Sequence, residues 1–175
     1  SSDPSMNLRL SALDNITLIS NSDCHSARRI GREANVLEGG ELSYKNIIDA
    51  IKKKGAGLRL VETIEFFPEE GKYHYDGHRD CKVSLSPKES HKLDELCPSC
   101  GRQLTVGVLS RVEELQDRPE GYKPENAVPF LSLVPLDEII AEALGLGPQT
   151  KSVTKQYNNL IDTFGSEFNI LLSAP

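Results

Sequence analysis

The sequence predicts a mixed α/β chain that reads as α+β over its 175 residues. Three observations carry this: a β-prone run that ends in polar residues, an amphipathic helix followed by a strand of period two, and two pairs of metal-ligating residues with matched spacing. With 38% hydrophobic and 26% charged positions the chain can build one ordinary domain or two small ones, each with a modest core. A wholly disordered tail is excluded. The apolar runs, such as Ile170-Leu171-Leu172, fall far short of the roughly 20 residues a bilayer span requires, so no membrane partner is expected. The start, Ser1-Ser2-Asp3-Pro4-Ser5-Met6, has neither the basic nor the apolar stretch of a secretory signal and no initiator methionine, which predicts a piece of something longer.

Taken in order, Ile16 to Ser20 is a short β-prone run between turn-like Asp14-Asn15 and the polar stretch Asn21 to Ser26, and it is the only strong element before about Gly40. Ser43 to Lys54 carries Ile47, Ile48 and Ile51 at helical spacing, with Ser43 as N-cap and Gly55 as the stop. Leu58 to Phe67 alternates as a strand, with Leu58, Leu60, Ile64 and Phe66 on one face, Val61 and Thr63 on the other, and Pro68 as its end. Ser86-Pro87-Lys88-Glu89 combines a Ser cap, a Pro at the first helical position and a Glu three residues on, so a helix is expected from there to about Leu96. Leu104 to Leu109 reads as a strand and Arg111 to Asp117 as a short helix. A Pro- and Gly-rich loop over 118–124 follows, and Leu136 to Leu172 reads as two helices around Leu144-Gly145-Leu146-Gly147-Pro148, the first from Leu136 to Ala143 and the second from Gln149 to about Phe164.

The strongest chemical signal is His78-x-x-Cys81, a spacer of 15 residues, then Cys97-x-x-Cys100. A two-residue gap lets both side chains of a pair point at one centre, and Gly101 suits the tight turn behind the second pair. Four protein ligands leave no open position, so a structural Zn²⁺ is expected in preference to a redox pair, in a reducing cytoplasm. His74 and Asp76 are weaker ligand candidates, His91 reads as solvated, and Cys24 as a small buried residue.

At the end of the first β-prone run, Asp23-x-His25 places a carboxylate and an imidazole on the same side of an extended chain. Both types bind divalent metals that activate water, although a strand-end Asp capping the next turn accounts for the spacing equally well. Lys and Arg total 20 against 26 Asp and Glu, a net charge of −6, which disfavours nucleic-acid binding by a bulk positive field. Local contact remains open to the chain. Residues 144–151 resemble the hairpin of a helix-hairpin-helix module, in which Gly145 and Gly147 let the backbone approach a phosphate and Lys151 and Lys155 add charge. A plain glycine C-cap competes with that reading.

In order and combination, Leu18-Ile19-Ser20-Asn21-Ser22-Asp23-Cys24-His25-Ser26 with Gly31-Arg32-Glu33-Ala34-Asn35, then Thr63 to His74, then Cys97-Pro98-Ser99-Cys100-Gly101 with Thr105 to Val108, resemble the bacterial relatives of endonuclease Q. The resemblance covers nearly the whole chain. It implies the C-terminal remnant of a PHP (polymerase and histidinol phosphatase) domain, a distorted α/β barrel with metals at its strand ends, joined to a zinc-ribbon-like unit and a helical module. On that basis residues 1–67 are the late PHP part, 68–118 the zinc unit, 119–135 a linker and 136–175 the helical module. Asp23 and His25 match the family's late Asp-x-His ligands for Mn²⁺, Mg²⁺ or Zn²⁺. The implied activity is phosphodiester hydrolysis 5′ to deaminated or abasic nucleotides, with damaged duplex or single-stranded DNA as partner. The family's opening His-x-His and middle ligands are absent, so the chain alone is expected to be inactive. Two alternatives stay open: a non-catalytic zinc-containing DNA-binding module, and a PHP phosphoesterase acting on small phosphorylated molecules.

Overall fold

The computed structural model of the chain describes residues 2–54 and 57–173. It is mixed α+β, and compactness divides it into one unit ending at Leu131 and a second beginning at Ser132.

In the first unit, helix α1 (Pro4–Asn7) is capped by Asp3, whose Oδ1 accepts the Met6 amide at 2.8 Å. Strand β1 (Ala34–Gly39) pairs antiparallel with β2 (Leu58–Glu65), with Ala34 opposite Ile64 and Asn35 opposite Thr63. Strand β5 (Phe130–Ser132) completes the sheet in the order β1-β2-β5, and the Thr63 amide donates to the Pro129 carbonyl at 3.0 Å. Helix α2 (Tyr44–Ile51) begins as expected, with Ser43 Oγ accepting the Asn46 amide at 3.2 Å, but ends short of Lys54. Lys53 already sits at φ +54, outside helical space, and the expected stop at Gly55 lies outside the described residues.

Three strand expectations need correction. Ile16 to Ser20 forms no strand, because among the described residues no ladder partner lies beside it; only Ser20 is tied to the sheet, and Ile16 and Ile19 stay exposed. β1 is the strand that forms instead, within a stretch read as featureless. It gains its ladder from β2, a long-range pairing that short-range pattern does not reveal. Leu104 to Leu109 is not a strand either: only isolated bridges at Gln103 and Thr105 form, and Val108 already begins helix α4 (Val108–Leu115), three residues before the expected start.

Strands β3 (Asp76–His78) and β4 (Val83–Leu85) form a hairpin, and helix α3 (Pro87–His91) carries the expected capping box between Ser86 and Glu89. α3 stops five residues before Leu96 because Asp94 and Glu95 both take left-handed conformations, near φ +50 and +57. The residues before and after this part are stitched together. Arg9 Nε donates to Gln116 Oε1 at 2.8 Å, Asp117 Oδ1 accepts the Ser11 amide at 2.8 Å, and Arg118 pairs with Asp14 at 2.5–2.7 Å.

Among its described residues the second unit holds three helices where two were expected: α5 (Leu136–Leu144), α6 (Lys151–Phe164) and α7 (Glu167–Ser173). Gly165, at φ +85, ends α6 after Phe164, where the second helix is expected to end, and α7 forms beyond it. Leu136, Ile140, Ala141 and the fully buried Val153 form the core, with Tyr157, Leu160, Ile170 and Leu171 packed around them. α5 follows Pro135, which supplies no side-chain cap. Glu167, from α7, supplies one: Oε1 accepts the Leu136 amide at 2.7 Å while Oε2 accepts the Tyr157 hydroxyl at 2.8 Å, tying all three helices together. Glu167→Ala is expected to cost about 1–2 kcal/mol, in the range of a lost N-cap. Hydrogen exchange of the α5 and α6 amides should quicken about tenfold. Unchanged protection would mean that the three-helix tie contributes nothing.

Candidate metal centre and flanking sites

The metal knuckles arise from two turns that the backbone makes at opposite ends of the same short segment. In the first, β3 ends at His78, residues Arg79–Cys81 form a 3-10 turn, and Lys82 adopts a left-handed φ of +54 that returns the chain into β4. In the second, the Cys97 amide donates to the Arg102 carbonyl at 2.7 Å, the Gly101 amide donates to the Cys97 carbonyl at 2.8 Å, and Gly101 takes φ +70. Two backbone bonds between Gly77 and Thr105, at 2.8 and 3.0 Å, hold the turns side by side.

The result is that one ligand atom from each of His78, Cys81, Cys97 and Cys100 lies within 4.8 Å of the other three. His78 Nδ1 and Cys100 Sγ are 3.6 Å apart. Bonds of about 2.0 Å to nitrogen and about 2.3 Å to sulfur at a tetrahedral angle call for a separation of roughly 3.5 Å, so this set fits a four-coordinate metal. Electrostatics points the same way. The Cys97 thiol is drawn below its usual range despite burial, because the Ser99 and Cys100 amides donate to it. Cys81 is pushed up to about 11, chiefly by its hydrogen bond with Cys100 and then by desolvation. Thiols packed this closely resist ionising together, and a bound cation reverses that balance. The cluster can hold a metal, closed on all four sides and suited to structure.

Of the neighbouring candidates, Asp76 has another role. Its carboxylate is 2% exposed and accepts from the Gly107 amide at 2.5 Å and from Ser110 Oγ at 2.7 Å, so it caps α4 from a distant strand. Gly107 is required there, since a Cβ would lie 2.4–2.6 Å from the backbone of His74 and Tyr75. His74 is buried against Tyr75, and burial lowers its pKa. His91 is exposed, 3.7 Å from Glu95. Cys24, expected to be buried, is exposed, because the segment carrying it never enters a sheet.

Asp23 and His25 both lie on the exposed stretch after Ser20, and Asp23 is at φ +44, a left-handed conformation that Asp tolerates better than most residues. Among the described residues the knuckle is the only group of three or more metal-type ligands, so Asp23 and His25 make at most part of a second site. Sequence reasoning missed the network behind them. Asn35, Thr63 and Glu65 share one face of β1–β2, and Ser20 sits among them; the same register carries Glu33 toward Glu65. Burial, then Glu65, raises the Glu33 carboxyl above its usual range. In the second unit, Gly145 ends α5 in a left-handed conformation, with the Leu146 amide bonded to the Ala141 carbonyl at 2.9 Å, the glycine C-cap that local sequence signals announce. Gly147 has no positive φ, and an added Cβ there would meet nothing within 4 Å. Lys151 and Lys155 are exposed on α6, whose N-cap is Thr150.

Fold and site together define a mixed α+β chain built around a closed Cys₃His metal knuckle, followed by a three-helix unit. Residues 8–55 match the family described as PHP-associated, and residues 135–175 match the one described as MJ0043 C-terminal domain. In fold and sequence the chain is endonuclease Q-like. It superposes over 100% of its length on the lesion-specific endonuclease PfuEndoQ from Pyrococcus furiosus, with a TM-score of 0.87 and 34% identity. A second solved structure, endonuclease Q with a 27-mer duplex substrate carrying an abasic lesion at the active site, matches 99% of the chain with a TM-score of 0.88 and 33% identity. Each comparison covers 44% of the solved chain. Two uncharacterized proteins are also similar over 99% of this chain: MJ0043 of Methanocaldococcus jannaschii, 33% identical, and YqxK of Bacillus subtilis, 28% identical. The chain spans 22% and 41% of their respective lengths. No helix among the described residues is long and apolar enough to cross a membrane.

Proposed function

We propose that this chain is part of a metal-dependent DNA endonuclease that hydrolyses a phosphodiester 5′ to deaminated or abasic nucleotides in DNA repair. The observation that carries the reading is the likeness to endonuclease Q over essentially the whole chain, at 33–34% identity. On this reading residues 1–67 are the late part of a PHP domain, 68–118 a zinc unit, 119–135 a connector and 136–175 a helical DNA-contact module. The exposed side chains of Ile16, Ile19, Ile30, Leu42 and Tyr44 would be covered by the rest of the PHP domain.

The knuckle metal is zinc, which three thiolates and one imidazole in a tetrahedral set select. A metal site built from reduced thiols supports a cytoplasmic location. Asp23 and His25 supply two donors for a divalent metal, Mn²⁺, Mg²⁺ or Zn²⁺, which would polarise the phosphodiester and supply the water nucleophile when bound. The chain provides only this pair toward that site, so by itself it is inactive.

The turn around Gly145 and Gly147 and the start of α6 form a helix-hairpin-helix contact to a DNA phosphate. Gly147 supports it: no internal conformation or contact requires a glycine there, whereas close approach of a phosphate would. Lys151→Glu should weaken DNA binding and reduce the salt dependence of log K by about one phosphate contact. Fluorescence anisotropy over a salt series measures both. Unchanged affinity would remove this contact from the proposal. A second reading, a non-catalytic DNA-binding module, draws on the solvent exposure of Asp23 and His25. Incubating the longer protein that contains this chain with Mn²⁺ or Mg²⁺ and duplexes bearing uracil, hypoxanthine or an abasic site separates the two: cleavage is expected, and binding without cleavage would favour the module.

A further inference from the structure

The Asp23–His25 loop is exposed and begins at a left-handed Asp, yet the residue three positions before it is among the most buried polar groups in the chain. Ser20 is 3% exposed. Its amide donates to Asn35 Oδ1 at 3.0 Å, and its carbonyl accepts from Asn35 Nδ2 at 2.6 Å. One side chain thus reproduces the two-bond pairing of an antiparallel ladder for a single residue. On the other side, Ser20 Oγ lies 2.7 Å from the Ile64 carbonyl and 2.9 Å from Glu65 Oε2, to which its one hydroxyl proton is shared. Glu65, 6% exposed, is itself held by Thr63, whose hydroxyl donates to Oε1 at 2.7 Å.

Asn35, Thr63 and Glu65 are brought onto one face by the β1–β2 register, since Asn35 stands opposite Thr63 and Glu65 is two residues on. Burying a carboxylate and two hydroxyls, with a half-buried amide beside them, is costly unless they bond one another. This set does so, and everything it holds converges on Ser20. The segment on either side, Ile16 to Asp23, lacks a ladder of its own, so Ser20 is the anchor that fixes where the loop leaves the sheet.

We propose that Asn35 and Glu65 are positioning residues: by clamping Ser20 they set the path of the Asp23–His25 loop. Ligand sites tolerate little displacement, and partners that only orient a ligand still affect metal affinity by roughly 10–100-fold. The use of the loop for metal rests on the function proposed above; the clamp does not.

The test therefore has two arms. In the 175-residue chain, Asn35→Ala should quicken amide exchange over residues 21–26 by about tenfold, the effect of losing a bond or two, while α6 and the knuckle segment keep their protection. Unaltered exchange over 21–26 overturns the clamp. In the longer protein, binding of Mn²⁺ alone, followed by electron paramagnetic resonance, should weaken roughly 10–100-fold with Glu65→Ala and recover with Glu65→Gln, which keeps an acceptor for the hydroxyls. A Glu65→Gln as defective as Glu65→Ala overturns positioning by hydrogen bonds. Should Glu65→Ala not fold, Asn35→Ala carries the same expectation for Mn²⁺. Faster exchange over 21–26 with full Mn²⁺ affinity supports the clamp and counts against Asp23 and His25 as ligands.

Discussion

Cys97→Ser is expected to abolish metal binding at the knuckle and to unfold the segment from β3 through α4, with one equivalent of zinc co-purifying with the unaltered chain and none with the variant. The size of the effect follows from how little else holds this segment. Its buried apolar side chains are Pro87, Cys97, Leu104 and Val112, and full burial of one aliphatic side chain contributes only about 1.5–3 kcal/mol. Zinc binding to small structural sites contributes about 10–16 kcal/mol, as much as the entire stability of an ordinary domain. Cys97 is also the thiol that two backbone amides already favour as the anion, so its loss removes the best-prepared ligand of the four. Elemental analysis and circular dichroism before and after chelation test this. A chain free of metal as purified, or a native spectrum after Cys97→Ser, would overturn the structural-metal assignment.

Asp23→Asn should lower lesion cleavage by the longer protein more than about 100-fold, beyond what loss of an outer-sphere partner costs. Asparagine is chosen because it tolerates the left-handed φ of +44 that Asp23 adopts, so the change removes a negative ligand and leaves the loop conformation accessible. His25→Gln should act similarly. Neither change touches the knuckle or the helical unit, so zinc content and DNA affinity should hold. Initial rates under saturating Mn²⁺ measure the effect. Cleavage within a few-fold of the unaltered protein would show that these residues are not ligands, and the loop would then be the capped turn that its spacing equally allows.

How far the sequence alone reached depends on the distance over which each signal acts. The Ser43 cap, the Ser86–Glu89 box, the turn at Gly101 and the stop at Gly145 are all written within a few residues, and all four form as expected. The metal set was legible for a related reason, since each pair is local and only one spacer had to close. What the sequence hid is long-range. Two helices without caps of their own, α4 after Gly107 and α5 after Pro135, are capped by Asp76 and Glu167, each 31 positions away in sequence. The β-prone run at Ile16 to Ser20 and the neglected stretch at Ala34 exchanged roles because strand formation is decided by the available partner, and β2 pairs with the latter. The Asn35–Ser20–Glu65 network was invisible for the same reason, with contacts spanning 15 to 45 positions.

We propose that this chain serves a nuclease directed at damaged DNA. This is tested most directly by end-labelling the damaged strand of a duplex with a single deoxyuridine, hypoxanthine or abasic site, incubating it with the longer protein and Mn²⁺, and mapping the product at nucleotide resolution. One cut is expected, at the phosphodiester 5′ to the lesion, absent from the undamaged duplex and lost with Asp23→Asn. Intact DNA under these conditions, alongside turnover of a small chromogenic phosphodiester, would contradict it.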